Sequence, residues 1–253
     1  MPILRLDIGY DGTGFHGYAS QPGVPTVQGV LEEAIGRVLG EVQTAVAGRT
    51  DAGVHARHQV VSVSSAVDVA PDRLAVSLRR LLPPTVAVWR VQEAPDGFDA
   101  RFDAVERAYR YRIDRGTVAD PFAARYAWHV PDPLDEEAMS SAATDFVGDH
   151  DFASFCRRAK GRSTHRTVFD ARWERDGRTT TFVVAGTSFC HQQVRSFVGY
   201  LVEVGRGRLP ADGTGAVLAA RDRAAARAVA PARGLTLWQV TYPPGFAEPP
   251  DLP

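Results

Sequence analysis

The sequence predicts an α+β fold built from two successive units of strands and helices. Three observations carry that prediction. An apolar stripe of 3.6-residue period runs from Val27 to Leu39 between strand-like stretches. A second amphipathic stretch opens at Pro71 and is again flanked by strands. Near residue 100 the pattern starts over, so we divide the 253 residues into an N-terminal half, 1–100, and a C-terminal half, 101–253.

Taken in order, Ile3 to Gly9 reads as a strand, followed by a glycine-rich loop through Gly23. Thr26 is placed to cap a helix that buries Val27, Val30, Leu31, Ala34, Ile35, Val38 and Leu39 and stops at Gly40. A short strand, Val42 to Ala47, leads into a loop, and Gln59 to Ser64 alternates as a strand should. The second helix starts at Pro71, a favoured first-turn position, with Leu74, Leu78, Leu81 and Leu82 inward. Pro83 and Pro84 end it before a strand from Thr85 to Val91. The order β-α-β-β-α-β is that of a ferredoxin-like unit.

The second half repeats the theme loosely. From Ala108 to Asp114, Tyr109, Tyr111 and Ile113 share one face and Arg110 and Arg112 the other. Asp135 opens a helix with Met139, Ala142, Ala143, Phe146 and Val147 inside, stopped by Gly148. Thr167–Glu174 and Thr179–Ala185 form a hairpin turning at Asp176-Gly177. A last amphipathic helix spans Cys190 to Val204, and the proline-rich tail from Pro243 lacks regular structure.

The net charge is -1, and Lys160 is the only lysine, so the positive charge is almost wholly arginine. Arginine suits forked contacts with carboxylate and phosphate, yet the global balance does not by itself demonstrate a nucleic-acid partner; a basic surface has to be local. Cys156 and Cys190, far apart and without a C-x-x-C motif, read as reduced thiols of a cytoplasmic protein. Neither a leader nor a membrane-spanning run is visible.

The densest chemistry lies in Gly48-Arg49-Thr50-Asp51-Ala52-Gly53-Val54-His55. In a loop or extended segment residues two apart share a side, so Arg49 and Asp51 are expected to converge, and the flanking glycines admit a close-lying backbone or ligand. Taken alone, such a pair is as well a structural ion pair. Gly12-Thr13-Gly14-Phe15-His16-Gly17 matches G-x-G-x-x-G, but Pro22 and Pro25 intervene before any helix, which argues against a dinucleotide site. His55 and His58 have a spacing open to metal, with no further ligand nearby.

The Ala47–Ala56 string resembles the signature loop of pseudouridine synthases, in particular the tRNA-acting TruA family. Four further strings agree with it in order along the chain. Tyr10-Asp11-Gly12-Thr13-Gly14-Phe15-His16-Gly17 resembles that family's N-terminal loop, although Tyr18-Ala19 stands where Trp-Gln is usual. Arg101-Phe102-Asp103-Ala104 with Ala108-Tyr109-Arg110-Tyr111 resembles its second motif. Phe189–Gly199, with Arg195, resembles its third, departing at Cys190 and Gln192. Gly234-Leu235 resembles a later segment packed near the active cleft.

The resemblance implies a pseudouridine synthase fold. Two ferredoxin-like, RRM-like halves would share one continuous, mostly antiparallel sheet with a central catalytic cleft. It also implies a homodimer without cofactor or metal that converts uridines 38, 39 and 40 of the tRNA anticodon stem-loop to pseudouridine. Asp51 becomes the catalytic residue, as nucleophile or base, with Arg49 and Arg195 as its cations. Tyr109 stacks on the target base and handles its proton, whereas Tyr111 packs. His55, Phe102 and Leu235 line the substrate site.

Arg157, Arg158, Lys160, Arg162 and Arg166 form a run with no acid. Beside an RNA enzyme such a run is a phosphate-binding arm, with Arg157, Arg158 and Arg162 as contacts. Two rivals stay in view. One is a catalytically silent RNA-binding protein on the same fold, which the intact Asp51, Tyr109 and Arg195 set opposes. The other is a nucleoside hydrolase, for which the acid cluster of a metal site is missing.

Overall fold

The computed structural model describes residues 2–157, 161–226, 228–246 and 249–252. It is α+β, as expected, and divides into two compact units: Met1–Arg107 with Leu237–Pro253, and Ala108–Thr236. The division expected after residue 100 thus falls after Arg107, and the end of the chain returns to the first unit. The reason is packing across long sequence separations. Leu237 and Val240 are fully buried, the Val240 amide donates to His58 Nδ1 at 3.3 Å, and the Tyr242 hydroxyl donates to the Ala100 carbonyl at 2.6 Å.

The first unit runs β1 (Ile3–Tyr10), α1 (Val27–Leu39), β2 (Gln43–Val46), β3 (His55–Ser64), α2 (Pro71–Leu81) and β4 (Val86–Glu93), the predicted ferredoxin-like order. β1 lies antiparallel to both β3 and β4, and β2 pairs with β3. The Thr26 hydroxyl accepts from the Gly29 amide and caps α1, satisfying one of the donors a helix start leaves unpaired. Gly40, at φ 72°, ends the helix. Pro71 is the first residue of α2. Leu81, expected inward, is exposed, because the helix ends there and the extended backbone at Leu82 turns that side chain in instead.

The second unit carries β5 (Glu106–Asp114, begun in the first unit), β6 (Trp128–His129), α3 (Glu136–Thr144), β7 (Gly148–Asp151), β8 (His165–Asp176), β9 (Thr179–Gly186), α4 (Gln193–Gly205), α5 (Thr214–Ala220) and α6 (Arg223–Ala226). Its strands lie in the order β5-β9-β8-β7. A final strand, β10 (Leu235–Thr241), leads back to the first unit beside β3.

The β8–β9 hairpin turns at Gly177, φ 55°, where only glycine is unstrained. α3 stops at Thr144 rather than running on to Gly148. Phe146 is still fully buried, but Val147 faces out. The core here is aromatic: Phe146 stacks on Phe197 at 4.0 Å between centroids, with Phe152, Phe155 and Tyr200 edge-on or tilted around them.

Cys156 and Cys190, read from the sequence as separate thiols, are brought together as a disulfide pair, with Cα atoms 5.7 Å apart. Folding joins the loop after β7 to the loop before α4, and the Arg157 amide donates to the His191 carbonyl at 2.9 Å beside the bridge. A sequence separation of 34 says nothing about such proximity.

Candidate active site

In the first unit the Gly48–Val54 loop joins β2 to β3. Asp51 opens a tight turn in which the Val54 amide donates to the Asp51 carbonyl at 3.1 Å. Gly53 occupies the third position with φ 76°, the left-handed geometry that a type II turn demands there. The carboxylate thus sits half-buried on a bend of defined shape.

The N-terminal loop lies directly against this bend. The Tyr18 amide donates to the Thr50 carbonyl at 3.0 Å and the Gly53 amide to the Phe15 carbonyl at 3.3 Å. Gly12 touches the Val54 backbone so closely that any side chain there would collide with the Val54 carbonyl. Gly12 and Gly17 of the nucleotide-like string are therefore explained by backbone contact with the Asp51 loop.

Buried polar groups complete the support. Tyr10 Oη is 2.8 Å from Thr50 Oγ1. The Gln59 amide nitrogen donates to Tyr10 Oη at 3.3 Å and to the Gly48 carbonyl at 2.6 Å. Arg107 donates to the carbonyls of Ala47 (3.0 Å), Arg101 (2.6 Å) and Ala104 (2.7 Å), fastening the loop's root. Sequence reading passed over Gln59 and Arg107. The available signal was a polar residue directly before the Val60-Val61 pair of β3 and an arginine near the start of the alternating β5 strand.

The other predicted residues of this unit are placed as follows. His55 is buried, with Nδ1 accepting from the Gly12 amide at 3.1 Å, so it braces the loop. Arg49 is exposed, and no ion pair joins it to Asp51 among the described residues; its charge instead acts on the buried Tyr18 phenol. The expected convergence of Arg49 and Asp51 is therefore not an ion pair here. Phe102 is 77% exposed, with the Arg101 guanidinium 5.2 Å from its ring centre. Tyr18, at the position where the family string departs, is a buried core residue.

In the second unit, Tyr109 lies on β5 with its ring edge-on to Phe189 at 5.3 Å. Tyr111 packs, as expected, its hydroxyl donating to the Pro231 carbonyl at 2.8 Å. Gly234 leaves room for that ring, since a Cβ there would come within 2.6 Å of it. Arg195, half-buried on α4, donates through Nε to the Ala230 carbonyl at 2.8 Å, and the Ala230 amide returns a bond to the Arg195 carbonyl. Leu235 is buried at the start of β10. Arg157 and Arg162 are exposed, while Arg158 lies outside the described residues.

Among the described residues no three His, Cys, Asp or Glu side chains gather where they could hold a metal ion, and no helix is long and apolar enough to cross a membrane.

This constellation defines a class when set beside known proteins. A family profile described as tRNA pseudouridine synthase matches residues 142–243. The tRNA pseudouridine synthase A of Brevibacillus brevis is 44% identical over 96% of this chain and 100% of its own length. That of Frankia casuarinae is 48% identical over 95% of this chain and 89% of its own length, and that of Bradyrhizobium diazoefficiens 44% over 96% and 100%. The chain belongs to the tRNA pseudouridine synthase A family.

Proposed function

We propose that this protein isomerises uridine to pseudouridine in the anticodon stem-loop of tRNA, at positions 38, 39 and 40, with Asp51 at the centre of the reaction. The observation that carries the reading is Asp51 itself. It is a half-buried carboxylate at the first position of a glycine-completed turn, with the backbone on both sides pinned.

The reaction breaks the N1–C1′ bond, turns the uracil and forms a C5–C1′ bond. The hydrogen on C5 leaves as a proton and N1 gains one, so the composition of the nucleotide is unchanged. A carboxylate serves either by attacking the sugar or base or by removing a sugar proton, and both roles need it ionised. Arg49 and Arg195 are proposed as the cations of the reaction, and Tyr109 as the ring that stacks on the uracil and handles its proton.

The target base must leave its stem, which costs a few kcal/mol. Stacking worth about 1–3 kcal/mol per base, with arginine–phosphate contacts from Arg157, Arg158 and Arg162, offsets that cost. Phe102, exposed beside Arg101, suits contact with the RNA, and Leu235 the lining of the site. His55 serves the same site by bracing the Asp51 loop. We read the protein as a cofactor-independent homodimer of the cytoplasm, on the strength of the family resemblance.

The test is tritium release from tRNA carrying [5-³H]uridine, wild type against Asp51→Asn. Release by the wild type, lost in the variant while tRNA binding persists, is expected. A wild type that releases nothing from any unmodified tRNA would sink the isomerase reading and favour an RNA-binding protein.

A further inference from the structure

Gln59 is fully buried in the middle of β3, among Val60, Val61 and Val63, where an apolar side chain would pack without needing partners. Burying an amide is unfavourable unless its groups are hydrogen-bonded. The amide nitrogen of Gln59 is satisfied twice, by the Gly48 carbonyl and by Tyr10 Oη. Tyr10 Oη, which accepts from Gln59, also lies 2.8 Å from Thr50 Oγ1, where either hydroxyl can be the donor. One side chain of β3 therefore reaches both flanks of Arg49: Gly48 directly, and Thr50 through Tyr10.

We propose that Gln59 is a positioning residue for catalysis, acting with Tyr10 as a hydrogen-bond bridge that fixes the loop immediately before Asp51. The inference rests on the reading of Asp51 as the catalytic group. The bridge is not needed to connect β3 to β1, since those strands are already paired from Ile3 to Tyr10. Its two end points both lie in the loop, at Gly48 and Thr50. Burial pushes the Tyr10 phenol up to about 12, so the hydroxyl stays protonated and able to bridge Gln59 and Thr50 throughout the neutral range. A displacement of about 1 Å at a reacting group can cost on the order of 100-fold in rate. A bridge that sets the loop's position is thus expected to show in kcat.

The test uses the full chain with Gln59→Met, which keeps the length and removes the amide, Gln59→Glu, which keeps the shape and removes the donors, and Tyr10→Phe. For each, kcat and KM on tRNA are measured with the thermal midpoint and with amide hydrogen exchange of residues 48–54. The expected result is a kcat lower by about 10- to 100-fold with KM for tRNA nearly unchanged. Faster exchange in the loop should accompany it, and Tyr10→Phe combined with Gln59→Met should be less than additive.

Wild-type kcat and wild-type loop exchange in any folded variant would overturn the proposal. So would a rise in KM with kcat intact. If Gln59→Met does not fold, Tyr10→Phe, which removes one oxygen, carries the same comparison. Should the wild-type protein itself release no tritium, the isomerase reading fails, and loop exchange still decides whether the bridge holds the loop.

Discussion

His58 Nε2 lies 2.9 Å from Asp7 Oδ1, with both side chains wholly shielded from solvent between β3 and β1. His58 Nδ1 accepts the Val240 amide hydrogen, which puts the ring's proton on Nε2 and aims it at the carboxylate. Arg5 donates to the same oxygen at 2.8 Å, and Arg90 reaches the other at 3.0 Å. A spacing that at first suggests metal is thus used for a buried ionic knot that ties β10 to the first unit.

Removing one member of such a knot leaves uncompensated charge. Asp7→Ala is expected to destabilise the protein by about 3–5 kcal/mol, since Arg5 would stay buried without its carboxylate. Denaturant unfolding followed by circular dichroism reads this directly. A loss below about 1 kcal/mol would mean that water or a rearrangement solvates Arg5.

The same knot predicts acid sensitivity. Burial alone would raise the Asp7 carboxyl, but the His58 hydrogen bond and the Arg5 charge and hydrogen bond bring it below its ordinary value. Asp114 is held at about 2, chiefly by the hydrogen bonds of Arg178. A carboxyl depressed in the folded state contributes stability that is complete above its unfolded pKa and is lost as pH falls toward the folded one. The unfolding midpoint should therefore be flat from neutral pH down to about 5 and drop between about 4 and 2. A midpoint that holds at pH 2 would contradict these assignments.

Tyr18 supplies a prediction of opposite sign. Its ring is buried and its hydroxyl finds no hydrogen-bond partner among the described residues, while burial pushes the phenol well up. Deleting an unsatisfied buried hydroxyl relieves a penalty of roughly 1–3 kcal/mol, set against a small cavity. Tyr18→Phe is expected to be neutral or stabilising by up to about 1 kcal/mol, with tRNA affinity unchanged. A clear loss of affinity would show that the hydroxyl serves the RNA.

Arg157 and Arg162 are exposed, and neither forms an ion pair among the described residues. If they contact phosphate, each Arg→Gln change should weaken tRNA binding at low salt. It should also flatten the slope of log K against log salt by about 0.7–0.9. Filter binding between about 50 and 200 mM salt measures this. An unchanged slope would remove that arginine from the interface.

Much of this molecule could be read from local pattern. The α1 stripe from Val27 to Leu39, its Thr26 cap, the Pro71 start and the Gly177 turn each report on residues within one turn or one hairpin. Periodicity and capping are properties of near neighbours. The loop proposed as the site's core was legible for another reason, since the Gly48–His55 string carries its own turn chemistry. Val147 and Leu81 were misplaced because helix ends depend on what packs beyond them, which a stripe does not encode.

The sequence by itself determined the order of elements in the first unit, the hairpin of the second, and the glycine-flanked loop that carries Asp51. Tertiary structure alone decided that β10 returns to His58, 182 residues away, that Cys190 meets Cys156, and that Tyr10 reaches Thr50 across 40 residues. These contacts close over long stretches of chain. Their partners are chosen by where folded strands and loops come to lie and by the cost of leaving buried polar groups unpaired, and neither is written in the spacing of adjacent residues.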